Sequence, residues 1–251
     1  MPVPAVAVAG LFGLIVGSFL NVVAHRLPRG ASLVKPRSAC PDCGTAVRPY
    51  DNVPVLSWLL LRGRCRDCGT PISARYPLVE AGTAALWLGV VAVHHDDTTK
   101  LALGLVLVTF LVPLALIDLE RRILPNQLTG PAALIGLALG LALDAGGEPE
   151  RLLAAAVFGF VFALPAFIGG GMGMGDAKLV GVLGLYLGWT TGLALLVALV
   201  VGTVVGVAIM ARVGVSRGRK TGVPFGPFLA LGGIVAVLAG APVIDWYLTL
   251  G

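Results

Sequence analysis

From Val3 to Ala24 the chain runs for 22 residues without a charge, enough for one helix to cross roughly 30 Å of hydrocarbon. Similar apolar runs recur at Pro77–Val93, Leu101–Ile117, Leu124–Leu143, Leu152–Ile168, Leu179–Leu187, Leu193–Ala211 and Val223–Tyr247. Apolar residues make up 57% of the 251 and charged residues only 12%, against about a quarter charged in ordinary globular chains. The pattern predicts an all-α polytopic membrane protein with about eight transmembrane helices. Leu179–Ala211 would read as one long helix but for Gly188-Trp189-Thr190-Thr191-Gly192, whose glycines and Trp predict a tight turn at an interface. No basic residue precedes the first run and no A-x-A cleavage pattern is evident, so a retained first span with its N-terminus outside is expected.

Charge placement tests that count, because Lys and Arg of short loops collect on the cytoplasmic side. Eight spans with both termini outside put sixteen of the eighteen basic residues inside, leaving only Lys100 and Arg151 in the outer loops. A seven-span arrangement would send the Arg217–Lys220 cluster outside. The net charge of +5 is then accounted for by a basic face over an anionic bilayer, and no nucleic-acid partner is expected.

The expected organisation is a first transmembrane helix at 1–25, a polar cytoplasmic loop at 26–76 and a transmembrane core of about seven helices at 77–251. The loop holds the chain's four cysteines, in two similar pieces, CPDCGTAV and CRDCGTPI, with 21 residues between Cys43 and Cys65. Cys-x2-Cys on a tight turn lets two thiolates grip one side of a tetrahedral metal, and Gly44 and Gly69 relieve the backbone behind each pair. Cys40, Cys43, Cys65 and Cys68 are therefore expected to bind one structural zinc, since four thiolates leave no open position for water. Two disulfides are the alternative, disfavoured in a reducing compartment. An iron–sulfur cluster would use the same ligands.

Most of the thirteen acids fall in polar loops or outer turns, but Glu80, Asp118, Glu120 and Asp176 lie at the predicted cytoplasmic ends of spans. Asp118 directly follows the Leu101–Ile117 run, and Asp176 sits in GGGMGMGDAKL. Two spans separate them, so both emerge on the same side at similar depth. Taken singly, Asp118 reads equally well as an ion pair with Arg121 or Arg122 and Asp176 as a helix cap. Together, with Gly173 and Gly175 allowing close approach of another backbone and Lys178 alongside, they read as a site. A close carboxylate pair, one charged and one neutral, can activate a water and polarise a carbonyl, which is aspartic protease chemistry.

The motifs GSFLNVVAHRLPRG, CPDC, DNVPVLSWLLLRGRC with CRDC, ISARYPLVE, IDLERRILPNQLT, GMGDAKL and PFGPF, in that order along the chain, resemble those of bacterial prepilin peptidases, the type IV leader peptidases with a Gly-x-Gly-Asp signature. The resemblance implies that Asp118 and Asp176 match the family's catalytic aspartates. It also implies cleavage of leaders from type IV prepilins and type II secretion pseudopilins at the cytoplasmic face of the inner membrane. In many members S-adenosylmethionine-dependent N-methylation of the new terminus follows. Asn126 departs from the resemblance, which leads one to expect Asp there.

Other chemistries fare less well. Ser18 and His25 are seven helical residues, about 10 Å, apart, too far for a proton relay, and no HExxH occurs among the three histidines. Trp87, Trp189 and Trp246 read as interfacial anchors. GVPFGPFLA, Gly222–Ala230, reads either as a Pro/Gly turn into the last span or as a lip touching substrate. A cation- or proton-coupled transporter would explain buried acids and an interrupted helix, but not the cysteine pairs.

Overall fold

The computed structural model describes residues 3–168, 173–214 and 222–249. Gly169–Met172 of the glycine-rich stretch and the Arg217–Lys220 cluster lie outside the described residues. Among the described residues the architecture is helical, and the only β-pairing is two isolated bridges. The chain divides into two compact units, Met1–Ala92 and Val93–Gly251.

In the first unit, α1 (Val3–Arg26) packs on α3 (Arg75–His94) through glycines. A Cβ on Gly13 would lie 2.6 Å from Ala84 Cα, and one on Gly17 would lie 2.7 Å from Glu80 Cα. The two backbones thus touch directly, the contact that small residues permit between helices in lipid. One turn further, buried Asn21 donates from Nδ2 to the Tyr76 carbonyl at 3.2 Å. The other side of α1 exposes Val8, Leu11, Phe12, Ile15 and Phe19, as a helix bathed in hydrocarbon does.

Between these helices the polar loop carries only short 3₁₀ turns and α2 (Leu56–Leu60). Glu80 is not a free acid at the end of a span. It is buried, and its Oε2 accepts the Val55 N–H at 2.7 Å. Val55 has φ 61°, a costly conformation for a β-branched residue, so the Glu80 bond secures the strained start of α2.

The second unit holds α4 (Thr98–Arg121), α5 (Asn126–Leu143), α6 (Glu148–Phe167), α7 (Met174–Leu187), α8 (Thr191–Val213) and α9 (Gly226–Leu248). Leu107, Leu111 and Leu114 form a fully buried stripe on α4 at helical spacing. Asp118 is the next residue of that stripe and is buried with it. α7 lies chiefly against α6, where a Cβ on Gly184 would fall 2.4 Å from Ala155 Cα. α8 packs mainly on α9, and α9 also on α4.

Among the described residues, six stretches are long and apolar enough to cross a membrane, with Met174–Arg212 taken as one and Gly226–Gly240 as a shorter apolar helix. That stretch is not continuous: at Gly188 the backbone takes φ 56° and ψ −137°, and a 3₁₀ turn, Gly188–Thr190, intervenes before α8. The 14 residues of α7 reach only about 21 Å. Glu148, one of the acids read as lying in outer turns, is buried at the start of α6, where its Oε2 accepts from Arg151 Nε at 2.9 Å.

Candidate active site

Asp118 reaches the site from the last turn of α4. Arg122 ends the helix in the left-handed region, φ 57°, and donates its amide to the Asp118 carbonyl at 2.8 Å. The chain is thereby turned sharply toward Leu124, Pro125 and the start of α5. Among the described residues, Asp118 forms no ion pair with Arg121 or Arg122. Its Oδ2 instead accepts the Gly226 N–H at 2.9 Å, from the first residue of α9.

Asp176 stands in the first turn of α7, and its Oδ2 accepts the Gly173 N–H at 3.3 Å, a capping contact within its own helix. Gly175 lies close against Leu124, with room there for no more than a tight Cβ contact at 3.1 Å. Lys178, one half-turn further along α7, donates from Nζ to Asn126 Oδ1 at 2.9 Å.

Asp118 and Asp176 line one cavity of about 430 Å³, together with Arg122, Gly173, Gly175 and Lys178. A second hollow of about 420 Å³ runs along α5, α6 and α7, walled by Thr129, Gly130, Ala133, Gly181 and Leu185. Asn126 and Lys178 belong to both hollows. The walls change from polar at the carboxylates to small and apolar along the helices.

The four cysteines meet in the first unit. Their Sγ atoms all lie within 4.8 Å of one another, and all four are free thiols. Both knuckles fold alike: Cys40 N–H donates to Thr45 O at 3.0 Å and Cys65 N–H to Thr70 O at 2.8 Å, while Gly44 and Gly69 sit at φ 71° and 74°. Cys40 Sγ and Cys68 Sγ are 3.7 Å apart, close to the edge of about 3.8 Å expected for a tetrahedron of zinc–sulfur bonds near 2.3 Å. Hydrogen bonds from the Thr70 hydroxyl and amide draw the Cys68 thiol down to about 6, while Cys40, among its neighbouring thiols, is pushed up to about 11. The donor set and spacing therefore fit a four-thiolate ion.

Charged groups lace the knuckles together. Arg66, between the second pair of cysteines, forms a fork on Asp51, with Nε to Oδ2 at 2.9 Å and Nη2 to Oδ1 at 2.6 Å, and stacks 5.6 Å from the Tyr50 ring centre. Arg48 reaches Asp67 at 2.9 Å. In the sequence Asp51 and Asp67 read as ordinary loop acids, and Gly226 as one glycine of a turn. The repeat of each cysteine pair was a visible signal; the partners of Asp51 and Gly226 had none.

Comparison with known proteins agrees in both units. Residues 11–94 match the family model described as the bacterial Peptidase A24 N-terminal domain, and residues 105–210 match that of the type IV leader peptidase family. The chain is 45% identical to a protein of Myxococcus xanthus named prepilin leader peptidase/N-methyltransferase, over 74% of this chain and 57% of that one. Proteins of the same name from Burkholderia pseudomallei and Pseudomonas aeruginosa are 40% and 38% identical, over 98% and 95% of this chain and 88% and 91% of theirs. No solved structure matches. With these identities spanning nearly the whole chain, it belongs to the type IV leader peptidase family.

Proposed function

We propose that this chain is an aspartic endopeptidase that removes the leader of type IV prepilins and pseudopilins and N-methylates the new terminus, with Asp118 and Asp176 as its catalytic pair. The observation that carries this reading is the meeting of those two carboxylates in one cavity, although they come from helices far apart in sequence. Names shared by relatives at 38–40% identity supply the substrate class.

The pair holds one proton between two carboxylates. The charged member takes a proton from a water, whose oxygen attacks the scissile carbonyl carbon, while the protonated member donates to the carbonyl oxygen. A proton then passes to the leaving amine as the C–N bond breaks, with no covalent intermediate. The prepilin segment that follows the cut is apolar, and the small-residue hollow that shares Asn126 and Lys178 with the cavity takes its start.

The remaining parts fit around this centre. Eight spans, both termini outside, put the cavity at the cytoplasmic face of the inner membrane, in accord with the distribution of Lys and Arg. Zinc held by Cys40, Cys43, Cys65 and Cys68 would fix the two knuckles, and Lys178 with Gly173 and Gly175 would shape the approach to Asp176. Methyl transfer draws on S-adenosylmethionine as donor.

The test is processing of a type IV prepilin by membranes containing the protein, with mass measurement of the mature terminus. Leader loss and a 14 Da gain, the mass of one added methylene on about every product chain, are expected. Asp118→Asn or Asp176→Asn cleaving at the wild-type rate would overturn the catalytic assignment.

A further inference from the structure

Resting on that reading, we propose that Gly226 is a positioning residue for cleavage: its N–H fixes the Asp118 carboxylate in the cavity, and its missing side chain leaves the space that carboxylate occupies. The start of α9 has a complete hydrogen-bond account. Phe228 and Leu229 donate their amides to the Phe225 carbonyl at 3.0 and 3.1 Å, and Pro227 has no N–H to give. The Gly226 amide is left to point at Asp118 Oδ2, at 2.9 Å, and that contact is buried. First-turn amides carry the positive end of a helix dipole, so this donor favours and orients a carboxylate.

Gly226 leaves space here. It is absent from the glycines at positive φ, so no left-handed backbone demands glycine, while a Cβ just before Pro227 disfavours helical backbone by an amount that is the same whatever stands at 118. A Cβ, however, would meet Asp118 Oδ2 at 2.6 Å, Cγ at 3.0 Å and Cβ at 3.1 Å. Apart from its chain neighbours, the three atoms nearest to a side chain at 226 all belong to Asp118. Flanking Pro224 and Pro227 restrict the backbone on both sides, so the donor is fixed before substrate arrives.

Two readouts separate positioning from a merely structural turn. Gly226→Ala is expected to lower kcat for prepilin cleavage about a hundredfold while KM stays within about threefold, as displacement of a reacting group by ~1 Å does. Gly206→Ala, in α8 where a Cβ would meet nothing within 4 Å, keeps wild-type kcat. In a double-mutant cycle on thermal stability, Gly226→Ala lowers Tm in the wild-type background and much less when Asp118→Ala is present. If Gly226→Ala alone fails to accumulate, the double variant must accumulate better.

Wild-type kcat in Gly226→Ala, or an equal Tm change in both backgrounds, overturns the proposal. Failure of the catalytic assignment is distinct: Asp118→Asn would then cleave normally, while the Tm cycle would still report the contact.

Discussion

Lys178 and Asn126 join α7 to the first residue of α5 through a 2.9 Å hydrogen bond, Nζ to Oδ1, where the carboxylate cavity meets the apolar hollow. The family resemblance leads one to expect Asp at 126, and in this chain an amide oxygen is the acceptor.

Asn126→Asp is therefore expected to convert a neutral bond into an ion pair without moving either helix. Exposed ion pairs contribute about 0–1 kcal/mol, so Tm should rise slightly and cleavage should stay within about threefold of wild type. A loss as deep as that of Asp118→Asn would show that an amide at 126, rather than any acceptor for Lys178, is required. Thermal denaturation and prepilin processing of the one variant check both statements.

Much of this arrangement is legible along the chain because it depends on short spacings. The stripe Leu107, Leu111, Leu114 continues to Asp118, so a helical period alone puts an acid where a buried leucine would stand. The Cys-x2-Cys repeats predict two like knuckles, and their hydrogen bonds are indeed alike. Gly188 and its neighbours predict the break between α7 and α8. Contacts across long sequence separations are another matter: Gly226 to Asp118, Val55 to Glu80 and Arg66 to Asp51 each depend on tertiary packing. A glycine between prolines reads as a turn until the carboxylate beside it is seen, and Glu80 reads as a span-end acid until the amide it accepts is known.

The glycines of α1 yield a prediction about assembly of the first unit. A Cβ at Gly17 would approach the Glu80 backbone carbonyl oxygen at 3.1 Å as well as its Cα at 2.7 Å, and backbone cannot step aside as a flexible side chain can. Gly17→Val should separate α1 from α3, break the Asn21 bond to the Tyr76 carbonyl, and cost several kcal/mol, in the range of about 1–3 or more for overpacked contacts. Gly82→Ala, on a part of α3 where a Cβ would meet nothing within 4 Å, should be tolerated. Yield of membrane-inserted protein and resistance to protease distinguish the two.

The fork between Arg66 and Asp51 predicts how firmly the cysteine loop holds metal. Zinc at about one ion per chain is expected from four thiolates, and release to a chelator should be several-fold faster in Asp51→Asn. Hydrogen bonds from Arg66 hold the Asp51 carboxyl below its ordinary value of 3.8. A depressed value in the folded state means that the support is complete above the ordinary value and is lost as pH falls through the depressed one. The ratio of release rates between Asp51→Asn and wild type should thus be flat from about pH 5 to 8 and approach unity only below about pH 4. A ratio that varies across the neutral range would assign the support to some other group.

The hollow along α5 and α7 predicts a change in substrate binding separable from chemistry. Gly130 lies on its wall, and a Cβ there would meet nothing within 4 Å, so a larger side chain enters open space instead of straining the helices. Gly130 precedes Pro131 inside α5, where a Cβ disfavours helical backbone, so Tm of Gly130→Leu is measured beside KM and the comparison is made on folded protein. If the apolar segment of a prepilin lies in this hollow, the leucine occupies its place. KM should then rise about tenfold or more with kcat little changed, the signature of lost uniform binding. Soluble peptides ending just past the cleavage site, which lack the apolar segment, should be cut equally by the variant and the wild type. Equal KM values for full prepilin would instead mean that the hollow is filled by lipid and that the substrate approaches the two aspartates from another side.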